Sequence, residues 1–233
     1  MAGGSVTEGP KRFYKEVSLL EQDGGYAVAL DGRIAKTVGR HPLVATKKLA
    51  EALREEWDAQ TDTVRMETMP LTRLHGFVLD AGEQGKAEFT DTICQYAGSD
   101  LLCYRADEPK LAERQEQIFG PFLARAEEQG LTFAVTAGII PVEQPPETIE
   151  AMRDRLSAME LSELYPRKLL TEILGSAVLA LYADQEPDNA FAAARLDEAF
   201  QAEKWGVDGE AKERENALRR DFDDVLRYLS LSR

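Results

Sequence analysis

Apolar and polar positions follow two different periods along the chain, and the change between them falls near residue 80. In the first third the repeat is short. Residues 13–20 put Phe13, Val17 and Leu19 on one side of an extended chain, which predicts a half-buried strand. A turn at Asp23, Gly24 and Gly25 leads into the apolar run 26–30, then Asp31-Gly32, then 33–37. Asp-Gly between two such runs favours the positive φ angles of a type I′ turn, so a β-hairpin is predicted. His41-Pro42-Leu43 interrupts the extended pattern, and Thr46 is placed to cap a helix by accepting a bond from a first-turn amide. Leu49, Leu53 and Trp57 then recur every four residues against a face of Lys47, Lys48, Glu51, Glu55 and Glu56. That spacing predicts an amphipathic helix lying on the hairpin sheet.

After residue 60 the helical period takes over. Pro70 suits the first turn of a helix, and Leu71, Leu74 and Val78 continue at helical spacing. His75, beside these apolar positions, reads as a hydrogen-bonded packing residue, and His41 has no partner visible in the sequence. Residues 86–96 align Phe89, Ile93 and Tyr96 before Gly98-Ser99-Asp100 stops them, and the apolar run 101–104 is too short to type by period. Pro109 opens a helix with Leu111, Gln115, Ile118 and Phe122 in register; Gly120-Pro121 predicts a kink and Gly130 a C-terminal cap. Alternation over 131–140 predicts an extended segment and leaves open whether it returns to the N-terminal sheet.

Ile149, Met152, Leu156 and Met159 mark the next helix, and 168–182 reads as one central helix in which Gly175-Ser176 lets another helix approach closely. Asp188 is expected to cap 189–204, with Leu196 and Phe200 inward and Gly206 ending it in left-handed backbone. Asp208 is expected to begin a last helix with the seam Leu218, Phe222, Val225 and Leu229. The fold class is therefore α+β. A small N-terminal α+β domain, residues 1–80, with an antiparallel sheet and a packed helix, is followed by a larger all-α helical bundle domain, residues 81–233.

Composition narrows the chemistry. A chain of 233 residues can bury a core without metal or disulfide staples. Its net charge of -14 disfavours nucleic acid, which is bound through Lys and Arg surfaces that release counterions. Residues 1–80 hold 11 Lys and Arg against 12 Asp and Glu, so the surplus of acid lies almost wholly in the helical part. Cys94 and Cys103 show no metal-ligand spacing and read as small buried hydrophobes of a reducing compartment. The N-terminal stretch lacks the profile of a secretory signal or organelle presequence, and the apolar stretch 169–183 is too short and too interrupted for a membrane span. No phosphate loop, dinucleotide fingerprint, nucleophile elbow or HExxH pattern is present. Adjacent acids such as Glu55-Glu56 and Asp223-Asp224 carry no diagnostic weight among 42 carboxylates.

Six short words then stand out in order: Lys11-Arg12-Phe13-Tyr14, Leu30-Asp31-Gly32-Arg33, Glu56-Trp57-Asp58-Ala59-Gln60, Met69-Pro70-Leu71-Thr72, Asp100-Leu101-Leu102-Cys103-Tyr104-Arg105 and Glu203-Lys204-Trp205-Gly206. In this order and spacing the chain resembles the assembly chaperone family of the F-type ATP synthase, which protects the alpha subunit of the soluble catalytic sector. The resemblance runs from Lys11 to about Trp205. It implies a non-enzymatic protein that binds the unassembled alpha subunit, covers the surface meant for the beta subunit and is displaced as the hexamer forms; the chain is further expected to be monomeric and to carry no cofactor. It also implies a cytoplasmic location for a bacterial member, against the mitochondrial matrix for eukaryotic relatives that carry a presequence.

The partner-binding positions carried over from that resemblance are Trp57, Asp58, Asp100, Tyr104, Glu198, Gln201, Glu203, Trp205 and Gly206. The acidic end of the penultimate helix, Glu198 and Glu203 near Trp205, is the favoured contact, because an aromatic residue rimmed by charge suits a protein interface. Two other readings stay open: an enzyme or small-molecule binder with a cleft at the domain join near Trp57, and a permanent structural subunit.

Overall fold

The computed structural model describes residues 9–138, 141–206 and 209–233. The chain forms two compact units, Met1–Gly82 with Arg227–Arg233 and Glu83–Leu226. The first unit is built on an antiparallel sheet of β1 (Val17–Gln22), β2 (Gly25–Leu30), β3 (Arg33–Ile34) and β4 (Val44–Ala45). Strand β2 is central: β1 pairs along its whole length, while β3 and β4 share its other edge. Leu30 stands opposite Arg33, and Asp31 and Gly32 both take positive φ (48° and 75°), so the predicted two-residue turn is present. The Asp31 carboxylate secures it by accepting from the backbone N–H groups of Lys15 and Glu16.

The first strand begins at Val17 rather than at residue 13, and Phe13 stands 69% exposed. Strand β4 has no signature in the apolar pattern. It forms because Pro42, which interrupts the pattern, is followed by backbone that rejoins the sheet: Leu43 N–H donates to Ala35 O and Val28 N–H donates to Leu43 O.

Helix α1 (Lys47–Asp58) buries Leu49, Ala50, Ala52 and Leu53. Thr46 occupies its N-cap position without capping it; the hydroxyl instead donates to Leu231 O at 2.8 Å. Helix α2 (Pro70–Gly98) opens at Pro70 as expected, and Glu56 supplies its cap, taking the N–H groups of Leu71 and Thr72 on separate carboxylate oxygens at 2.8 Å each. At Gly82 the backbone leaves helical geometry (φ 58°, ψ -167°), and the division between the two units falls there. His75 is a packing residue, as read. Its Nε2 donates to Val44 O at 2.8 Å and its Nδ1 lies 3.0 Å from the Tyr228 hydroxyl, while burial lowers its pKa and keeps it neutral. His41, by contrast, does have a partner, the Asp80 carboxylate at 2.9 Å, which also accepts from the Thr37 hydroxyl and Gly39 N–H.

In the second unit a single 3-10 turn (Leu101–Cys103) leads to β5 (Tyr104–Arg105), which pairs in parallel with β6 (Thr136–Ala137). The extended segment predicted over 131–140 thus finds its partner in the helical unit, not in the N-terminal sheet; its residues Ile139 and Ile140 lie outside the described residues, as do Asp208 and the first eight residues. Helix α3 (Pro109–Glu128) continues through Pro121 as one element. It ends as predicted: Gly130 has φ 82°, with Leu131 N–H donating to Ala126 O and Gly130 N–H to Glu127 O. Helix α4 (Pro146–Ser157) buries Met152 and Leu156.

The predicted central helix 168–182 is two helices, α5 (Leu161–Leu174) and α6 (Ala177–Tyr182). Gly175 joins them in left-handed backbone, φ 67° and ψ 15°, and a Cβ there would meet nothing within 4 Å. The glycine therefore serves the turn, not a close approach. Ser176 caps α6 by accepting from Leu179 N–H. The predicted helix 189–204 is likewise two, α7 (Pro187–Ala194) and α8 (Leu196–Trp205), separated at Arg195. Glu186, not Asp188, holds the N-cap position of α7; Asp188 lies in its first turn and pairs with Arg219 at 2.7 Å. Helix α9 (Gly209–Ser232) buries Phe222, Val225 and Leu229 and half-buries Leu218.

Asp100 sits at the centre of this unit with no exposed surface. One oxygen accepts from Leu102 N–H (3.1 Å) and the Ser176 hydroxyl (2.7 Å), the other from Val178 N–H (3.1 Å), so one carboxylate binds the end of α2 to the start of α6. Burial pushes its pKa up to about 6. Cys94 and Cys103 are buried free thiols, and burial pushes Cys103 up to about 12.

Candidate partner-binding surface

Helix α8 turns Leu196 and Phe200 inward and leaves its other faces in water. Gly206 stops it with φ 80° and ψ 172°, a positive φ as expected but with an extended ψ instead of the left-handed helical one. Trp205, the last residue, is 82% exposed. A tryptophan in water forgoes the burial that would favour it.

Between α8 and the first turns of α9 lies a cleft of about 1070 Å³. Half-buried Ala202, Ala211 and Leu218 form its inner wall, and Glu198, Gln201, Glu203, Trp205 and Gly206 line it with Arg195, Asp197, Ala199, Arg214 and Glu215. Its four carboxylates outnumber its two guanidinium groups, so the cleft is acidic.

The last turn of α8 is fixed by α3. Glu203 pairs with Arg114 at 2.7 Å and Lys204 with Glu108 at 3.1 Å, and both cations lie over the Phe200 ring, at 5.2 and 4.3 Å from its centre. The hydrogen bond from Arg114 holds the Glu203 carboxyl below its ordinary pKa, so it stays ionised. Arg195 reaches Glu198 at 3.1 Å, while its buried Nε has no acceptor among the described residues. An anchored helix end, an exposed indole and fixed negative charge form a surface suited to docking on a protein with basic and apolar groups.

The remaining positions carried over from the sequence lie elsewhere. Trp57 packs edge-on against Tyr14, 5.7 Å between ring centres, and its carbonyl accepts from the Tyr14 hydroxyl at 2.6 Å. Asp58 is exposed with Arg12 3.6 Å away. A smaller groove of about 460 Å³ beside Trp57 is lined by residues of the first unit. Tyr104 is half-buried in β5, and Asp100 is interior, where no partner surface can touch it directly. The cleft thus gathers five of the nine positions. It also adds Arg214 and Glu215, which the sequence did not single out, and neither did it single out Arg114, which pairs with Glu203 from 89 residues away, where no local pattern joins them.

Residues 11–127 match the family model described as ATP12 chaperone protein. The crystal structure of Atp12 from Paracoccus denitrificans is similar with a TM-score of 0.90 and 33% sequence identity, covering 96% of this chain and 99% of that one. A point mutant of the Paracoccus protein gives a TM-score of 0.90 at 32% identity, over 96% and 98% of the two chains. The Atu1473 protein from Agrobacterium tumefaciens gives 0.87 at 35% identity, over 96% of this chain and 87% of its own. With half of its length matched by the family model and its whole fold shared with these structures, the chain belongs to the ATP12 chaperone protein family.

Proposed function

We propose that this protein is a non-enzymatic, monomeric assembly chaperone of the bacterial cytoplasm. It binds the unassembled alpha subunit of the F-type ATP synthase catalytic sector, shields the face meant for the beta subunit, and is displaced as the hexamer forms. Membership of the ATP12 chaperone family supports the chaperone class, and the client follows from the family resemblance of the sequence. The observation that carries the choice of surface is Trp205, 82% exposed at the end of α8 beside an acidic cleft.

The physical need is plain. An oligomer interface exposed before assembly is a large apolar patch prone to self-association. A chaperone covering it requires a complementary surface and an affinity low enough to yield to the proper subunit. An enzyme or small-molecule reading would favour convergent groups with pKa values shifted towards proton transfer. In the α8 cleft Glu203 is shifted the opposite way, held as a carboxylate by Arg114.

Glu203→Lys tests the surface. The side chain is exposed, so the fold should be retained, while the reversed charge meets both Arg114 and the client. Capture of isolated alpha subunit is expected to weaken about tenfold or more, with an unchanged circular dichroism spectrum. Equal capture by the variant and the unaltered chain would move the contact away from α8.

A further inference from the structure

The first unit carries a second surface that the α8 cleft does not explain. Phe13, Ile34 and Trp57 line the groove beside α1 together with Tyr14, Arg33 and Lys36. Phe13, Tyr14 and Trp57 form a run of edge-on aromatic pairs, 5.3 and 5.7 Å between centres, of which Tyr14 is buried and Phe13 stands 69% in water. Folding gains little from a phenylalanine left there. The indole N–H of Trp57 is shielded from solvent and has no acceptor among the described residues.

Charge points the same way. Arg33 and Lys36 are exposed and make no ion pair among the described residues. Asp31, the carboxylate on the same groove, is committed to the backbone N–H groups of Lys15 and Glu16, whose dipoles offset its charge. The groove is therefore an aromatic, locally basic site on a chain of net charge -14. The overall charge repels nucleic acid, yet a short acidic peptide can reach two cations within a Debye length.

We propose that this groove is a second docking surface of the chaperone, taking an extended acidic segment of the client. One large apolar side chain of that segment sets against Phe13 and Trp57, and its carboxylates meet Arg33 and Lys36. The inference rests on the client reading above and adds a contact made by the first unit. Two surfaces on one chain bind more tightly than either alone, and each can be released separately as the proper subunit arrives.

The test uses the full chain and isolated alpha subunit. Arg33→Glu combined with Lys36→Glu is expected to weaken capture about tenfold or more, and Phe13→Ala to weaken it without a charge change, each with an unaltered melting curve. Carbodiimide treatment of the wild-type complex should join the Lys36 amine to an Asp or Glu of the client. Undiminished capture by the double variant, with no cross-link at Lys36 while Glu203→Lys still weakens binding, would overturn the second surface and leave the chaperone reading intact. Failure of the unaltered chain to capture the client would remove both. Self-association of the chaperone abolished by Arg33→Glu would assign the groove to a second copy and overturn the proposal.

Discussion

Asp100→Ala is expected to destabilise the helical unit by about 2–4 kcal/mol at pH 7, read from the midpoint of urea unfolding by circular dichroism. The substitution strips the acceptor from Leu102 N–H, Val178 N–H and the Ser176 hydroxyl in a site with no solvent access. Each stranded donor costs about 1–3 kcal/mol, and relief from burying a charge offsets part of the sum. The same residue sets a pH dependence. Its carboxyl titrates at 3.8 in a model peptide and at about 6 here, so the folded chain holds the proton more tightly than the unfolded one. Its contribution to stability therefore rises as pH falls from about 7 towards 4, and is lost again as pH climbs through 6. Asp100→Asn, which cannot titrate, should lack that rise. A loss from Asp100→Ala below about 0.5 kcal/mol, the scale of an ordinary surface substitution, would contradict the placement of this carboxylate.

Trp205→Ala is expected to reduce capture of the alpha subunit about 30-fold or more, the scale of an aromatic interface anchor. Its melting temperature should not move, because the ring is 82% exposed and its removal opens no cavity. Phe200, five residues earlier and 3% exposed, gives the contrast: Phe200→Ala would unsettle the packing beneath Arg114 and Lys204 before any partner is involved. Full capture by a folded Trp205→Ala variant, in surface plasmon resonance, would exclude this indole as the anchor.

What the sequence disclosed follows from what periodicity measures. Turn chemistry at Asp31-Gly32 and the buried positions Leu49 and Leu53 were legible because they depend on neighbours within a few residues. The helix breaks at Gly175 and Arg195 were not, since an apolar run reports which face is buried and stays silent on a single φ angle. The Thr46 cap failed for a related reason: its hydroxyl found an acceptor 185 residues away.

The six words of the family resemblance are also now separable. Arg12 and Tyr14 of the first donate to the carbonyls of Trp57, Asp58 and Gln60 in the third. Glu56 of the third caps the helix opened by the fourth. Asp31 secures the hairpin of the second, and Asp100 of the fifth the start of α6. These words hold the fold together. Trp205 in the sixth has no such structural work, which is why the proposed client contact is placed there. The other wall of that cleft, on α9, was invisible because its residues became neighbours only through the fold.

The most direct measurement is co-expression of this chain with isolated alpha subunit, followed by addition of purified beta subunit. The chaperone reading predicts that alpha stays soluble in a complex with the unaltered chain, and that beta releases the chaperone as catalytic hexamers appear. Alpha that aggregates regardless of the chain, or a complex that beta cannot dissolve, would contradict it.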